Sequence, residues 1–272
     1  MGANYIQMEH SAKLSNSDAN LGIRTRNRTL HILQLFERRS LWTVEDIAAE
    51  MAVSISSAYR DVKELSNLGF LAVSARSEYM LGPAFIRYDL LIRQGDPLVK
   101  AASEPMLALL SRTTQHAVVL ISRRFRDQVM CVHQEKGTDH PPSSTYERGV
   151  ALPMFKGATS KAILAHLGDR ALKQIYLNHE HEIRESTGLG GWKAFSEQMK
   201  AIREAGVACT DSEVAPGRIG IAAPVFWEGQ VVAGVSLVFE LTQFDQVGFA
   251  TEVKRSAGEI SAVLEALKVL ED

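Results

Sequence analysis

Between residues 25 and 82 the apolar positions recur three times at helical spacing and then twice at strand spacing. Ile32, Leu33 and Phe36 share one arc of a helix over residues 27 to 38. Thr43 then offers a capping hydroxyl with Asp46 three residues on, and Ile47, Ala48 and Met51 form a short apolar stripe. Ser54 caps a further helix that Gly69 ends, with Ile55, Ala58, Val62 and Leu65 on one arc and Ser56, Arg60, Lys63 and Asn67 on the other. Only residues 52 to 54 separate these two helices, a turn short enough for a helix-turn-helix unit. Two strand-like runs, 70 to 73 and 78 to 82, flank a polar bend and predict a hairpin. Three helices followed by a hairpin predict a winged helix-turn-helix over residues 25 to 82.

On either side the pattern changes. Residues 1 to 24 are polar and aperiodic, and predict a mobile tail. Pro83 opens a linker helix over residues 83 to 96. Its Phe85, Ile86, Leu90 and Leu91 are too many to leave in water, so they form a dimer contact or pack on their own wing. From residue 97 the reading is mixed: a helix to 112, strands at 116 to 122 and 128 to 133, and a polar loop through 139 to 144. A short strand and turn feed a helix over 148 to 165, and helices follow at 169 to 178 and 192 to 205. Strands at 207 to 212, 220 to 226 and 231 to 239 come next, the last two joined across Trp227-Glu-Gly-Gln230, before a closing helix over 245 to 270. Helices at both ends of five strand candidates predict one α+β domain over residues 97 to 272, built on a central sheet.

Composition sharpens this only in part. Of 272 residues, 46% are hydrophobic and 23% charged, the balance of a soluble globular protein. No bilayer-length apolar run or leader-like N-terminus is read, so a cytoplasmic protein without a membrane partner is expected. Cys131 and Cys209 lack metal or redox spacing and are expected as buried reduced thiols. The formal net charge of −2 argues against nucleic acid as a global partner, and residues 1 to 82 hold nine cations and nine acids. Locally the balance differs: Arg24, Arg26, Arg28, Arg38 and Arg39 face only Glu37 in residues 24 to 39, and such a patch can neutralise phosphates.

On that basis Ser56 and Ser57 sit where a recognition helix meets base edges in double-stranded DNA, and Arg60 is positioned for guanine. Tyr59 and Lys63 suit phosphates, and Arg76 on the wing suits a minor groove or the backbone. Arg26 and Arg28 lie either on the DNA backbone or in water.

A rival reading is an enzyme acting on a small metabolite, with an accessory DNA-binding domain. Its residues are few. The i, i+2 spacing of His179 and His181 would put their rings on different helix faces, and a solvated surface turn is expected there. The glycines of residues 187 to 191 lack the GxGxxG order, and Cys209 sits in a strand-like run that favours a packed thiol. No catalytic residue, metal site or cofactor is therefore assigned, and the expected protein is not an enzyme.

Two stretches of the second domain carry a resemblance. Arg148-Gly-Val-Ala-Leu-Pro-Met-Phe-Lys-Gly-Ala-Thr-Ser-Lys-Ala, and Asp211-Ser-Glu through Gly220-Ile-Ala-Ala-Pro-Val225, are similar to effector-domain segments of the IclR family of bacterial transcription regulators. The winged helix-turn-helix resembles that family's DNA-binding domain, and the motifs from about residue 26 to 270 keep its order. The resemblance implies a homodimer, often a dimer of dimers, with a GAF-like effector domain that binds a small organic acid. Carried over, the amides of Ala158 and Thr159 would face the ligand carboxylate, Leu152 and Met154 would supply apolar wall, and Ser236 a hydroxyl. Asp211 joins this implied set. Where relatives that bind small oxo-acids place an acid, a thiol and a second serine, this chain has Thr210, Gly220 and Val238. The implied pocket is roomier and less polar, which suits a larger effector such as an aromatic carboxylate. The linker helix would carry the response from effector to DNA.

Overall fold

A computed structural model describes residues 28–142, 147–188, 190–240 and 246–271. The chain divides into two compact units, Met1–Gly95 and Asp96–Asp272. The tail of residues 1 to 24 lies outside the described residues.

In the first unit, helices α1 (Arg28–Leu35), α2 (Val44–Glu50) and α3 (Ile55–Asn67) precede a hairpin of β1 (Leu71–Val73) and β2 (Tyr79–Leu81). The local signals explain the boundaries. Thr43 Oγ1 accepts the Asp46 amide at 3.1 Å at the start of α2, and Ser54 Oγ accepts the Ser57 amide at 3.3 Å at the start of α3. Gly69, at φ +77°, takes the left-handed turn that releases the chain into the wing. Ile32, Ile47, Ala58, Val62, Leu65 and Leu71 close one core. Trp42 exchanges two backbone hydrogen bonds with Tyr79, so the wing is tied to the residue just ahead of α2.

The next helix, α4 (Pro83–Gly95), buries only Ala84 in this chain. Phe85 and Tyr88 meet the Phe70 ring at 5.6 and 5.8 Å, whereas Ile86, Leu90, Leu91 and Ile92 stay exposed. Of the two placements open from sequence, packing on the wing unit accounts for one end of the helix only.

The second unit starts with α5 (Pro97–Arg112) and continues through β3 (Ala117–Phe125), β4 (Gln128–Lys136), β5 (Ala151–Pro153) and α6 (Ala158–Leu164). Helices α7 (Asp169–Asn178), α8 (Glu180–Thr187) and α9 (Gly191–Ala205) follow. Strands β6 (Ala208–Asp211), β7 (Arg218–Trp227) and β8 (Gln230–Glu240) and the final helix α10 (Gln246–Glu271) complete it. The six strands form one antiparallel sheet in the order β5-β4-β3-β8-β7-β6.

Strand alternation gives this sheet two different faces. Val119, Ile121, Ile219, Ile221, Val235, Leu237 and Phe239 face α5 and α10 and make the main core. The other face carries smaller residues, and α6 lies on it with Ala158 and Ala162 against Ala208 and Ala222. Gly234 permits that approach, since a Cβ there would stand 3.0 Å from Thr159 Cγ2. Helix α8 corrects the expectation of a surface turn around His179: Ile183 is its one buried residue, too little apolar content to show a helical period. Among the described residues no helix is long and apolar enough to cross a membrane.

Candidate nucleic-acid interface and effector cavity

Helix α3 supplies the exposed polar face of the first unit. Ala58, Val62 and Leu65 are buried, and Ser56, Tyr59, Arg60 and Lys63 are exposed. Ser57 is half-buried and receives the Ser54 hydroxyl at 2.9 Å, so it belongs to the helix cap as well as to the face. Ile55 departs from its expected arc and is 56% exposed. At the first position of α3, Ile55 lies beside Val44, Tyr59 and Tyr79 around a shallow depression next to the wing.

The cations are arranged differently from the sequence-based patch. Arg28 is bonded to the buried carboxylate of Asp61, with Nη2 to Oδ1 at 2.9 Å. That pairing corrects its assignment to DNA, because an inward guanidinium compensating a buried acid is not available to a phosphate. Arg38 pairs with Glu50 at 2.5 Å, and Arg39 pairs with Asp46 at 2.7 Å while lying 3.6 Å over the Trp42 ring. Arg26 lies outside the described residues. Between residues 28 and 82 the exposed cations without a carboxylate partner among the described residues are Arg60 and Lys63 on α3 and Arg76 at the wing turn. Between residues 28 and 82 the cations not held by an acid therefore lie on α3 and at the wing turn.

In the second unit a cavity lies between the small-residue face of the sheet and the start of α6. About 630 Å³ of atom-free space lies within it, open mouth included. Its floor follows from strand register. Ala222 pairs with Ser236, Gly220 with Val238 and Arg218 with Glu240 across β7 and β8, and Leu120 and Val118 of β3 continue the first two rows. Thr210 of β6 faces Gly220. A Cβ on Gly220 would stand 3.2 Å from Thr210 Oγ1 and 3.3 Å from Ala158 Cβ, so this glycine holds the floor open. Ser236 Oγ and Ser160 Oγ are fully buried and have no hydrogen-bond partner among the described residues. Both line the cavity, and an orphaned buried hydroxyl is the feature a bound polar group would relieve.

Leu152, Ala158, Thr159, Thr210, Gly220, Ser236 and Val238 all line the cavity. Met154 and Asp211 do not. Met154 follows the end of β5 and is buried with Phe155, Ile163 and Phe195 in a separate cluster. Asp211 is exposed and accepts the Ser212 hydroxyl at 2.8 Å, because alternation turns it away once Thr210 faces inward. Sequence reasoning missed Lys156 and Arg218, which also line the cavity, Arg218 through its register opposite Glu240. Beside the cavity, Glu213 accepts the Gly157 amide at 3.1 Å and Lys161 Nζ at 2.5 Å, pinning the loop after β6 to the start of α6.

The two thiols separate by environment. Cys131 is buried, and desolvation pushes its pKa up to about 12. Cys209 is exposed on the outward side of β6, contrary to the packed thiol expected, because its neighbours Ala208 and Thr210 take the inward positions. A maleimide reagent near pH 8 is expected to label Cys209 in the folded protein and Cys131 only in denaturant; mass spectrometry of the labelled peptides checks this, and early labelling of Cys131 would contradict the burial. Among the described residues no cluster of three or more His, Cys, Asp or Glu side chains is placed to hold a metal ion. His179 Nδ1 lies 2.9 Å from Glu182 Oε2, and its ring packs on Phe155 at 5.5 Å.

Comparison with known proteins gives both units a counterpart. A family model described as the C-terminal part of bacterial transcriptional regulator IclR matches residues 96–262, and an HTH-domain model matches residues 28–79. The HTH-type transcriptional regulator KipR of Bacillus subtilis is 27% identical over 239 residues, covering 86% of this chain and 94% of its own. BhcR of Paracoccus denitrificans is 27% identical over 218 residues, covering 79% of this chain and 77% of its own. In fold, the IclR structure of Thermotoga maritima superposes with a TM-score of 0.69 at 22% identity, over 89% of this chain and 98% of that one. An IclR homologue of Microbacterium hydrocarbonoxydans complexed with 4-hydroxybenzoate superposes at 0.72 with 21% identity, over 89% of this chain and 99% of that one.

Proposed function

The chain belongs to the IclR family of bacterial transcriptional regulators, and from that premise we propose that it binds operator DNA through α3 and the wing as a homodimer, with an aromatic-sized carboxylate in the cavity altering its affinity. The observation that carries the DNA part is the charge arrangement: Arg60 and Lys63 stand exposed on α3 while Arg28, Arg38 and Arg39 are each held by an acid. Base-edge and phosphate contacts need cations that are free to leave water for DNA. Dimerisation is supported by Ile86, Leu91 and Ile92 of α4, exposed at 75, 55 and 55% in the single chain.

The effector reading is supported by the Thr210, Gly220 and Val238 row, which leaves space where bulk would shorten the cavity, and by the orphaned Ser236 and Ser160 hydroxyls. The first-turn amides of Ala158 and Thr159 have no side-chain cap and add donors to the same end. The relative complexed with 4-hydroxybenzoate is consistent with a ring-bearing acid. Effector and operator binding are then reciprocally coupled, whichever sign the coupling takes.

Duplexes selected from a random pool by the purified protein serve as the operator. Anisotropy titration is expected to give salt-dependent binding that 4-hydroxybenzoate shifts and glyoxylate or pyruvate does not. Tight binding of glyoxylate or pyruvate with no response to aromatic acids would overturn the effector class, and failure to enrich any duplex would overturn the DNA-binding role.

A further inference from the structure

We propose that the cavity is built for a dianion: a ring-sized dicarboxylate whose second acid group is held at the outer end by Lys156 and Arg218. The inference rests on the carboxylate-effector reading above and deepens it. Its starting point is a charge imbalance. Lys156 and Arg218 both line the cavity, and no Asp or Glu is among the described lining residues. Lys156 is half-buried and has no carboxylate partner among the described residues. Arg218 is paired with Glu240, but on unequal terms: the arginine side chain is 21% exposed and the glutamate 62%.

Register puts Arg218 at one end, and half-buried Lys156 lines the same cavity. On the cavity side of β8, Ser236 is fully buried, Val238 half-buried and Glu240 exposed, so depth falls steadily along the strand. Across on β7 the same rows read Ala222, Gly220 and Arg218. Four residues of strand separate the Ser236 row from the Arg218 row, a span of roughly 13 Å. The middle of that span is walled by Val118, Leu152 and Val238, with Leu120 beside Ser236. The sequence along the cavity is thus hydroxyls, apolar wall, cations. A monoacid seated at the hydroxyl end would lay an apolar ring against Lys156 and remove water from it without giving it a partner. A second carboxylate at the far end would accept from Lys156 Nζ and from guanidinium N–H groups that Glu240 leaves over.

Calorimetric titration of the full chain with benzoate and with the three benzenedicarboxylates tests this. At least one dicarboxylate is expected to bind about 10- to 100-fold more tightly than benzoate, the effect of one added charge-assisted contact. Lys156→Met and Arg218→Met are each expected to collapse that preference, with benzoate still bound and ligand-free operator binding retained, which reports that the chain is folded. Glu240→Gln, by releasing Arg218, is expected to widen it. Benzoate binding as tightly as every dicarboxylate, or variants that weaken both classes equally, would overturn the dianion inference and leave the carboxylate reading standing. Binding of none of the four acids would remove the carboxylate reading and this inference with it.

Discussion

Arg60→Ala is expected to weaken operator binding by about 1–3 kcal/mol and to relax preference at one base pair, while Lys63→Ala weakens all duplexes alike and lowers the salt slope by about one. The difference lies in what each cation can reach. Both are exposed and neither has an acid partner among the described residues, so neither must break an ion pair before meeting DNA. Arg60 lies one helical turn beyond Ser56, on the side that Ser56 opens to base edges, and its planar fork matches a guanine edge. Binding isotherms on the selected duplex and on single-base variants, each at several salt concentrations, separate the two effects. Equal loss from Arg60→Ala on every duplex would assign it to phosphates. Arg28→Met gives the contrasting case: its guanidinium compensates buried Asp61, so its loss is expected to lower thermal stability rather than to alter the salt slope.

The second large effect belongs to the cavity floor. Gly220→Val is expected to reduce acid affinity by two orders of magnitude, roughly 3 kcal/mol, and to leave ligand-free operator affinity unchanged. Its first added carbon already falls 3.2 Å from Thr210 Oγ1 and 3.3 Å from Ala158 Cβ, so two further methyls have only the cavity to enter. Gly220→Ala adds one carbon and is expected to fall between. Anisotropy on the operator, with and without aromatic acid, reads both properties in one experiment. A Gly220→Val protein that responds with unchanged sensitivity would place the effector elsewhere.

What the sequence made legible follows the range of the interactions involved. Caps at Thr43 and Ser54 and the turn at Gly69 are settled within a few residues, and the helices they bound lie where the periodicity puts them. The arginine patch was misread because its compensation is tertiary: Arg28 and Asp61 are 33 positions apart, and nothing local links them. Ile55 fits the apolar arc by angle alone, yet it lies at a shallow surface depression and not in the core. In the cavity, alternation along β8 was enough to group Ser236 with Val238. Assigning Arg218 to the same wall required the pairing of Arg218 with Glu240, a register no single strand encodes. The family resemblance groups Met154 with Leu152, yet the chain leaves the sheet between them.

The two-sided sheet has an evolutionary corollary. Ile219, Ile221, Val235 and Leu237 hold the domain together from one side, while their immediate neighbours Gly220, Ser236 and Val238 line the cavity on the other. Because adjacent codons thus answer to separate demands, a lineage can retune the chemical signal it detects through single changes at alternate positions, with little penalty to folding. Descendants of such a sensor would diverge first in taste and only much later in architecture.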